Sequence, residues 1–272
     1  MRKWLFIVAL ISGVIFSKDV FATIKYYTVN GAKGKLAAML QTPDKKNYPL
    51  VILMHGFNSR KEMPLLQIIA DKLEEKGIAT FRFDFNGHGL SEGNFEDMTI
   101  PNEISDAKKI YEFVLKIPGV TSVSLAGHSQ GGVVASELAG ELGAEKIKSL
   151  VLLAPASVIH DMAVNGDLFG VKYDTDNLPV YVDIPGCCRV GREYVETAKN
   201  MQMYDIAKRY TGPVLIVHGL KDTLVPIEYG RQYDLIYENS KFNELFNADH
   251  LYSGYENLVA TDVTDFVFEK TK

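Results

Sequence analysis

A mostly parallel, doubly wound α/β sheet is the fold class this sequence predicts, and three observations predict it. Short apolar runs closed by glycine, proline or a polar turn recur along the chain. Stretches with helical spacing of apolar residues lie between them. The alternation then breaks once, over about 50 residues, which is too long for a plain loop in a compact domain. Strands alternating with helices produce βαβ units and a parallel sheet.

The elements follow in order. Ile24–Val29 and Lys35–Gln41 flank Asn30-Gly31, a hairpin signal. Leu50–Met54 is a continuous apolar run ending at His55-Gly56, as a strand buried on both faces requires. Leu65, Leu66, Ile69 and Leu73 recur at helical spacing up to Gly77. A second strand, Ala79–Phe83, ends at Asp84, and Ile104, Ala107, Ile110, Tyr111 and Val114 mark the next helix, closed by Pro118-Gly119. Ser122–Ala126 ends at Gly127 and is followed by a helical stretch from Val133 to Leu142. Ser149–Leu153 ends at Ala154-Pro155, and Val214–Val217 ends at His218-Gly219. Between the last two runs, from about 156 to 204, polar turns mix with Phe169, Tyr173, Tyr181 and Tyr194. Such aromatic content predicts an ordered insertion packed over the strand ends, a lid, within one domain spanning 23–272.

Composition bounds the function. The chain has 272 residues, 47% of them hydrophobic and 23% charged, with a formal net charge of −5. A mildly acidic chain gives no electrostatic reason to expect nucleic acid as partner, which would need a basic face. Arg2-Lys3, the apolar run Trp4–Phe16 and the small residues of Val20-Phe21-Ala22 read as a secretory signal peptide over 1–22. The run is too short to span a bilayer, which needs about 20 apolar residues, so a periplasmic or extracellular protein with no stable membrane anchor is expected. The two cysteines, Cys187 and Cys188, are adjacent and cannot staple distant segments.

Gly127-His128-Ser129-Gln130-Gly131 is a G-x-S-x-G motif between a buried strand and a helix. That is the context of the nucleophile elbow of the α/β-hydrolase fold, where a strained turn presents the serine hydroxyl at a helix N-terminus. A serine nucleophile needs a base, and the base needs an orienting acid, in chain order Ser…Asp…His for this fold. Asp222 lies just beyond the run 214–217, and His250 follows 242–246, both past strand ends where ligands of open sheets bind. Six histidines compete for the role of base. His55, His128 and His218 sit beside glycines in motif positions suited to shaping loops, His88 lies in a Gly-His-Gly turn and His160 in the insertion, which leaves His250. Asp249 adjoins the base in sequence but points away from it, so Asp222 is the candidate acid, against the plain reading of a turn aspartate. The oxyanion donors expected are the backbone N–H groups of Gln130 and of Phe57. No HExxH, paired-histidine or phosphate-loop motif occurs, so neither metal nor cofactor is expected.

Taken together, His55-Gly56-Phe57, Phe83–Gly89, Gly127–Gly132 and His218–Asp222 resemble the bacterial cinnamoyl and feruloyl esterases over nearly all of 24–268. Val158–Met162 and Tyr173-Asp174 carry that resemblance into the insertion. It implies hydrolysis of hydroxycinnamate esters, such as ferulate on plant cell-wall sugars. It also implies a lid aspartate and tyrosine that bind the phenolic hydroxyl, matched here by Asp161 and Tyr194. Asp161 has a reading of its own: a carboxylate in an apolar, aromatic lid needs a donor, and a phenol is one, against the plain reading of a solvated residue on the lid surface. The competing reading is a general carboxylesterase or monoacylglycerol-lipase-like enzyme acting on aliphatic esters. The partner expected is thus a small-molecule or sugar-linked ester, with a homodimer left open.

Overall fold

The computed structural model describes residues 23–272; the signal-peptide reading, on 1–22, lies outside the described residues. Strands β1 (Thr23–Asn30) and β2 (Lys35–Thr42) form the opening antiparallel hairpin. β3 (Tyr48–Met54), α1 (Pro64–Glu75), β4 (Ala79–Phe83), α2 (Ile100–Val114), β5 (Val120–His128), α3 (Gln130–Leu142) and β6 (Leu150–Leu153) then alternate as expected. The insertion follows with α4 (Val158–Asn165), two small antiparallel hairpins and α5 (Arg192–Asn200). Its hairpins are β7 (Asp167–Leu168) with β8 (Val171–Lys172), and β9 (Tyr181–Ile184) with β10 (Cys188–Gly191). The chain returns to the sheet in β11 (Val214–Gly219), α6 (Ile227–Ile236), β12 (Ser240–Leu245) and α7 (Glu256–Lys270).

The central sheet has eight strands in the order β1-β2-β4-β3-β5-β6-β11-β12. Only the pairings β1–β2 and β2–β4 are antiparallel; the rest are parallel. The α/β-hydrolase architecture is therefore present. Alternation along each strand splits the core into two layers. Leu50, Ile52 and Met54 face one side, with Ile110 of α2, Val133 of α3 and Tyr233 of α6. Val51 and Leu53 face the other, with Leu66 and Ile69 of α1 and Val263 of α7. Burial on both faces is why these strands read as unbroken apolar runs.

This strand order places the site. The connection from β3 runs to β4 on one side, while β5 lies on the other side of β3. The loops after β3 and β5 therefore part, and a crevice opens between them at the C-terminal edge. Residues 55–63 form one lip and Ser129 the other.

Candidate active site

Ser129 caps α3 with φ 56° and ψ −124°, a backbone region that a residue with a Cβ seldom occupies. The turn closes because its flanking glycines let backbones touch. A Cβ on Gly127 would lie 2.0 Å from the Gly131 carbonyl oxygen, and one on Gly131 would lie 2.3 Å from that of His55. The hydroxyl is thereby held above the N-terminus of a buried helix, where the helix dipole favours negative charge.

Two loops from the far half of the sheet meet it. His250 Nε2 is 3.0 Å from Ser129 Oγ, and His250 Nδ1 is 2.7 Å from Asp222 Oδ2. Burial pushes the Asp222 carboxyl up. Hydrogen bonds from His218 and His250, the charge of His250 and the Val225 backbone N–H outweigh it and hold Asp222 well below the usual carboxylate range. An ionised Asp222 can only accept, so His250 carries its proton on Nδ1 and turns the Nε2 lone pair to the serine hydroxyl. The second oxygen, Oδ1, accepts from the N–H groups of Leu224 and Val225 at 3.0 and 2.8 Å, which leaves the carboxylate no freedom to turn.

His55, His128 and His218, expected to shape loops, do so through distinct contacts. His128 Nε2 donates to the backbone carbonyl of His250 at 2.8 Å, pinning the main chain of His250. Burial, then the neighbouring His250, pushes His128 down to about 3, so it remains neutral. His55 is likewise pushed down to about 3, by burial first and by His88 second. Its Nε2 accepts from the Phe85 N–H at 3.2 Å and its Nδ1 donates to the Gly56 carbonyl at 2.9 Å. In a trans peptide the C=O of Gly56 and the N–H of Phe57 point in opposite directions. By holding the Gly56 oxygen, His55 aims the Phe57 N–H the other way. His218 Nε2 bonds the Val225 carbonyl at 2.8 Å and lies 3.3 Å from Asp222 Oδ2. In the loop after β3, Lys61 Nζ and its backbone N–H both bond the buried Asp84 at 2.7 Å, an anchor that no sequence signal marked.

The Gly56-Phe57 loop touches Ser129: a Cβ on Gly56 would lie 2.8 Å from Ser129 Cβ. Among the described residues, neither the Phe57 nor the Gln130 backbone N–H has an acceptor. Beside Ser129 opens an apolar cavity of about 180 Å³. Phe57 and Met63 line it from the β3 loop, Val158 and Ile159 from α4, Phe169 from the first small hairpin and Leu224 from the acid loop. The insertion thus builds one wall of the cavity.

Two expected substrate contacts stand elsewhere. Tyr194 is fully buried, and its hydroxyl donates to Gln130 Oε1 at 2.7 Å; it does not face the cavity. The expectation that it meets a phenol is corrected: α5 is amphipathic and drives Tyr194 into the core. Asp161 stays on the surface with its side chain 52% exposed. It lies two residues beyond Ile159, about 200° around α4, so Ile159 faces the cavity while Asp161 lines a separate hollow with Tyr204 and Tyr229. Its carboxylate already accepts from the Tyr229 hydroxyl and from His160 Nδ1. Partial burial pushes Asp161 up, but those two bonds hold it below its ordinary range.

The comparisons with known proteins agree with this architecture. The Hydrolase_4 family, described as serine aminopeptidase S33, matches residues 45–173. Among solved structures, Est1E from Butyrivibrio proteoclasticus with ferulic acid bound is 33% identical, with a TM-score of 0.86 over 90% of this chain and 99% of that one. The human protein ABHD12B is 27% identical over 78% of this chain, which spans only 56% of that relative's length. A monoacylglycerol lipase from Mycolicibacterium smegmatis is 24% identical over 83% of this chain and 90% of its own.

Left-handed strain at Ser129 has a measurable consequence. Ser129→Gly relieves it and Ser129→Ala does not, so the glycine variant is expected to be more stable than the alanine variant by about 1 kcal/mol. For a chain of this length that corresponds to roughly 2–4 °C in Tm. Equal melting temperatures would show that the turn stores no strain.

Proposed function

Since the chain belongs to the α/β-hydrolase family of serine esterases, we propose that it hydrolyses carboxylic esters through Ser129, His250 and Asp222, with hydroxycinnamate esters as substrates. The reading is carried by the hydrogen-bonded line from Asp222 through His250 to Ser129, set beside an apolar cavity walled by Phe57 and Phe169. Ser129 Oγ attacks the ester carbonyl carbon as His250 Nε2 takes its proton. The carbonyl oxygen becomes an oxyanion facing the N–H groups of Phe57 and Gln130. As the tetrahedral adduct collapses, the C–O bond to the alcohol breaks and His250 returns the proton to the leaving oxygen. Water, deprotonated by the same histidine, then attacks the acyl-enzyme and releases the acid and the free serine. Asp222 remains ionised throughout and stabilises the imidazolium.

A planar aromatic acyl group suits a cavity faced by two phenylalanine rings and a methionine, and the similar Est1E structure holds ferulic acid. The aliphatic reading rests on the same apolar lining and on the likeness to the monoacylglycerol lipase. Methyl ferulate, caffeate and p-coumarate run against short alkyl esters separate the two. Preference for the alkyl series would replace the hydroxycinnamate reading.

Ser129→Ala is expected to lower kcat by roughly 10³–10⁶, with residual rate from the oxyanion donors and binding. His250→Ala should cost more than Asp222→Asn. Near-wild-type turnover by Ser129→Ala would end the proposal.

If Asp161 exchanges its Tyr229 bond for a substrate phenol, Asp161→Ala weakens methyl ferulate turnover by about tenfold or more and spares a short alkyl ester. An equal loss on both would make Asp161 structural.

The basic and apolar residues of 1–22 lead us to propose export as well, with a mature N-terminus at or near Thr23. N-terminal sequencing of the protein from its native host that found Met1 retained would refute that.

A further inference from the structure

Behind the nucleophile turn, buried polar groups from two elements converge on one side chain of a third. Gln130 is fully buried at the start of α3. Its Nε2 donates to Glu103 Oε2 of α2 at 2.8 Å, and its Oε1 accepts from the Tyr194 hydroxyl of α5 at 2.7 Å. Both ends of the amide are therefore held, one by the body of the fold and one by the insertion. Among the described residues the other Glu103 oxygen, Oε1, has no hydrogen-bond partner and lies 4.0 Å from His88 Nε2, which has none either.

The protonation states of this pair match. His88 Nδ1 faces the Asn86 carbonyl at 3.2 Å, so it carries the ring proton and leaves a bare lone pair on Nε2. Burial pushes His88 down, which keeps the ring neutral. Burial pushes the Glu103 carboxyl well above its ordinary value, against the Gln130 bond and with added push from Asp106. Both shifts run toward the uncharged forms of the pair.

Polar groups buried this deeply are costly, and apolar side chains could fill the space. What the polar arrangement supplies is direction. The Gln130 backbone N–H shares a peptide plane with the Ser129 carbonyl. That oxygen accepts from Gly132 and from Ala156, the first residue of the insertion. The peptide is thereby fixed at its oxygen, and the Gln130 side chain fixes the residue that follows it.

We propose that Tyr194 and Glu103 are positioning residues for the oxyanion donor, clamping Gln130 from the insertion and from α2 so that docking of the insertion sets how well the Gln130 N–H is aimed. The inference rests on the reading above in which that N–H meets the oxyanion. It gives Tyr194 a function without contact to substrate. It also makes the insertion a determinant of rate as well as of the cavity wall.

The test uses the whole enzyme, with reactive serine counted by a fluorophosphonate so that each rate refers to folded protein. kcat and KM are measured on p-nitrophenyl acetate. Binding is measured for a trifluoromethyl ketone, which forms an oxyanion adduct, and for acetate, which does not. Tyr194→Phe removes only the hydroxyl. It should lower kcat per titrated serine about 3–10-fold, leave KM and acetate affinity unchanged, and weaken the ketone by the same factor as kcat. Glu103→Ala should do the same. Glu103→Gln, which keeps an acceptor for Gln130 and offers His88 a donor, should recover most of that loss.

Wild-type kcat and ketone affinity in both Tyr194→Phe and Glu103→Ala would overturn the proposal, whatever happened to Tm, because the cluster would then be core packing alone. A fall in acetate affinity equal to that of the ketone would also overturn it. Ser129→Ala in the same assay keeps the two readings apart. If it still hydrolyses the ester, the proposed function fails. If activity needs Ser129 but ignores both Tyr194→Phe and Glu103→Ala, only the clamp fails.

Discussion

The site depends on one constraint: Ser129 must hold a left-handed backbone between the end of β5 and the start of α3. That conformation costs on the order of 1–3 kcal/mol, and it persists because the strand and helix on either side are buried and cannot relax. Gly127 and Gly131 allow the carbonyls of 131 and 55 to approach where a Cβ would collide. Helix direction, hydroxyl height and the Gln130 peptide plane all follow from that turn. The turn stands at the crevice because β5 is the strand beside which the connection from β3 diverges.

Around the turn, histidines divide the labour according to burial and partners. His55 and His128, both buried and pushed down to about 3, serve as neutral pins on the main chain of the Phe57 loop and of His250. His218 braces the acid loop through Val225. His250 lies with its lone pair on Ser129 Oγ because Asp222, supplied with four donors, stays charged. A generic ring thus becomes a scaffold or a base according to which atoms it meets.

The insertion is where chemistry common to the fold becomes particular. It contributes Val158, Ile159 and Phe169 to the cavity, and Phe169 does so from a left-handed position in a two-residue turn with Gly170. From its far end α5 sends Tyr194 beneath the nucleophile. Residues that line the cavity and the residue that bonds the Gln130 side chain therefore belong to one segment.

Periodicity made the sheet legible, because a strand buried on both faces has to be apolar without interruption: β3, β4, β5, β6 and β11 stand within a few residues of their apolar runs. The helices α6 and α7 escaped, since α6 mixes Tyr, Gly, Arg and Asp through its turns and α7 spreads its apolar residues around the axis. Ser129, Asp222 and His250 were legible because a strained elbow and polar loops after strand ends leave local marks. The substrate wall was not, and the reason is geometric. Whether Tyr194 faces a cavity or a core depends on which side of α5 meets α2 and α3. Whether Asp161 meets a phenol or Tyr229 depends on a 68-residue separation in sequence closing to a hydrogen bond. Local sequence sets the type of each element and the chemistry it carries. Only the packing of distant elements decides which side chains share a cavity and which are already spoken for.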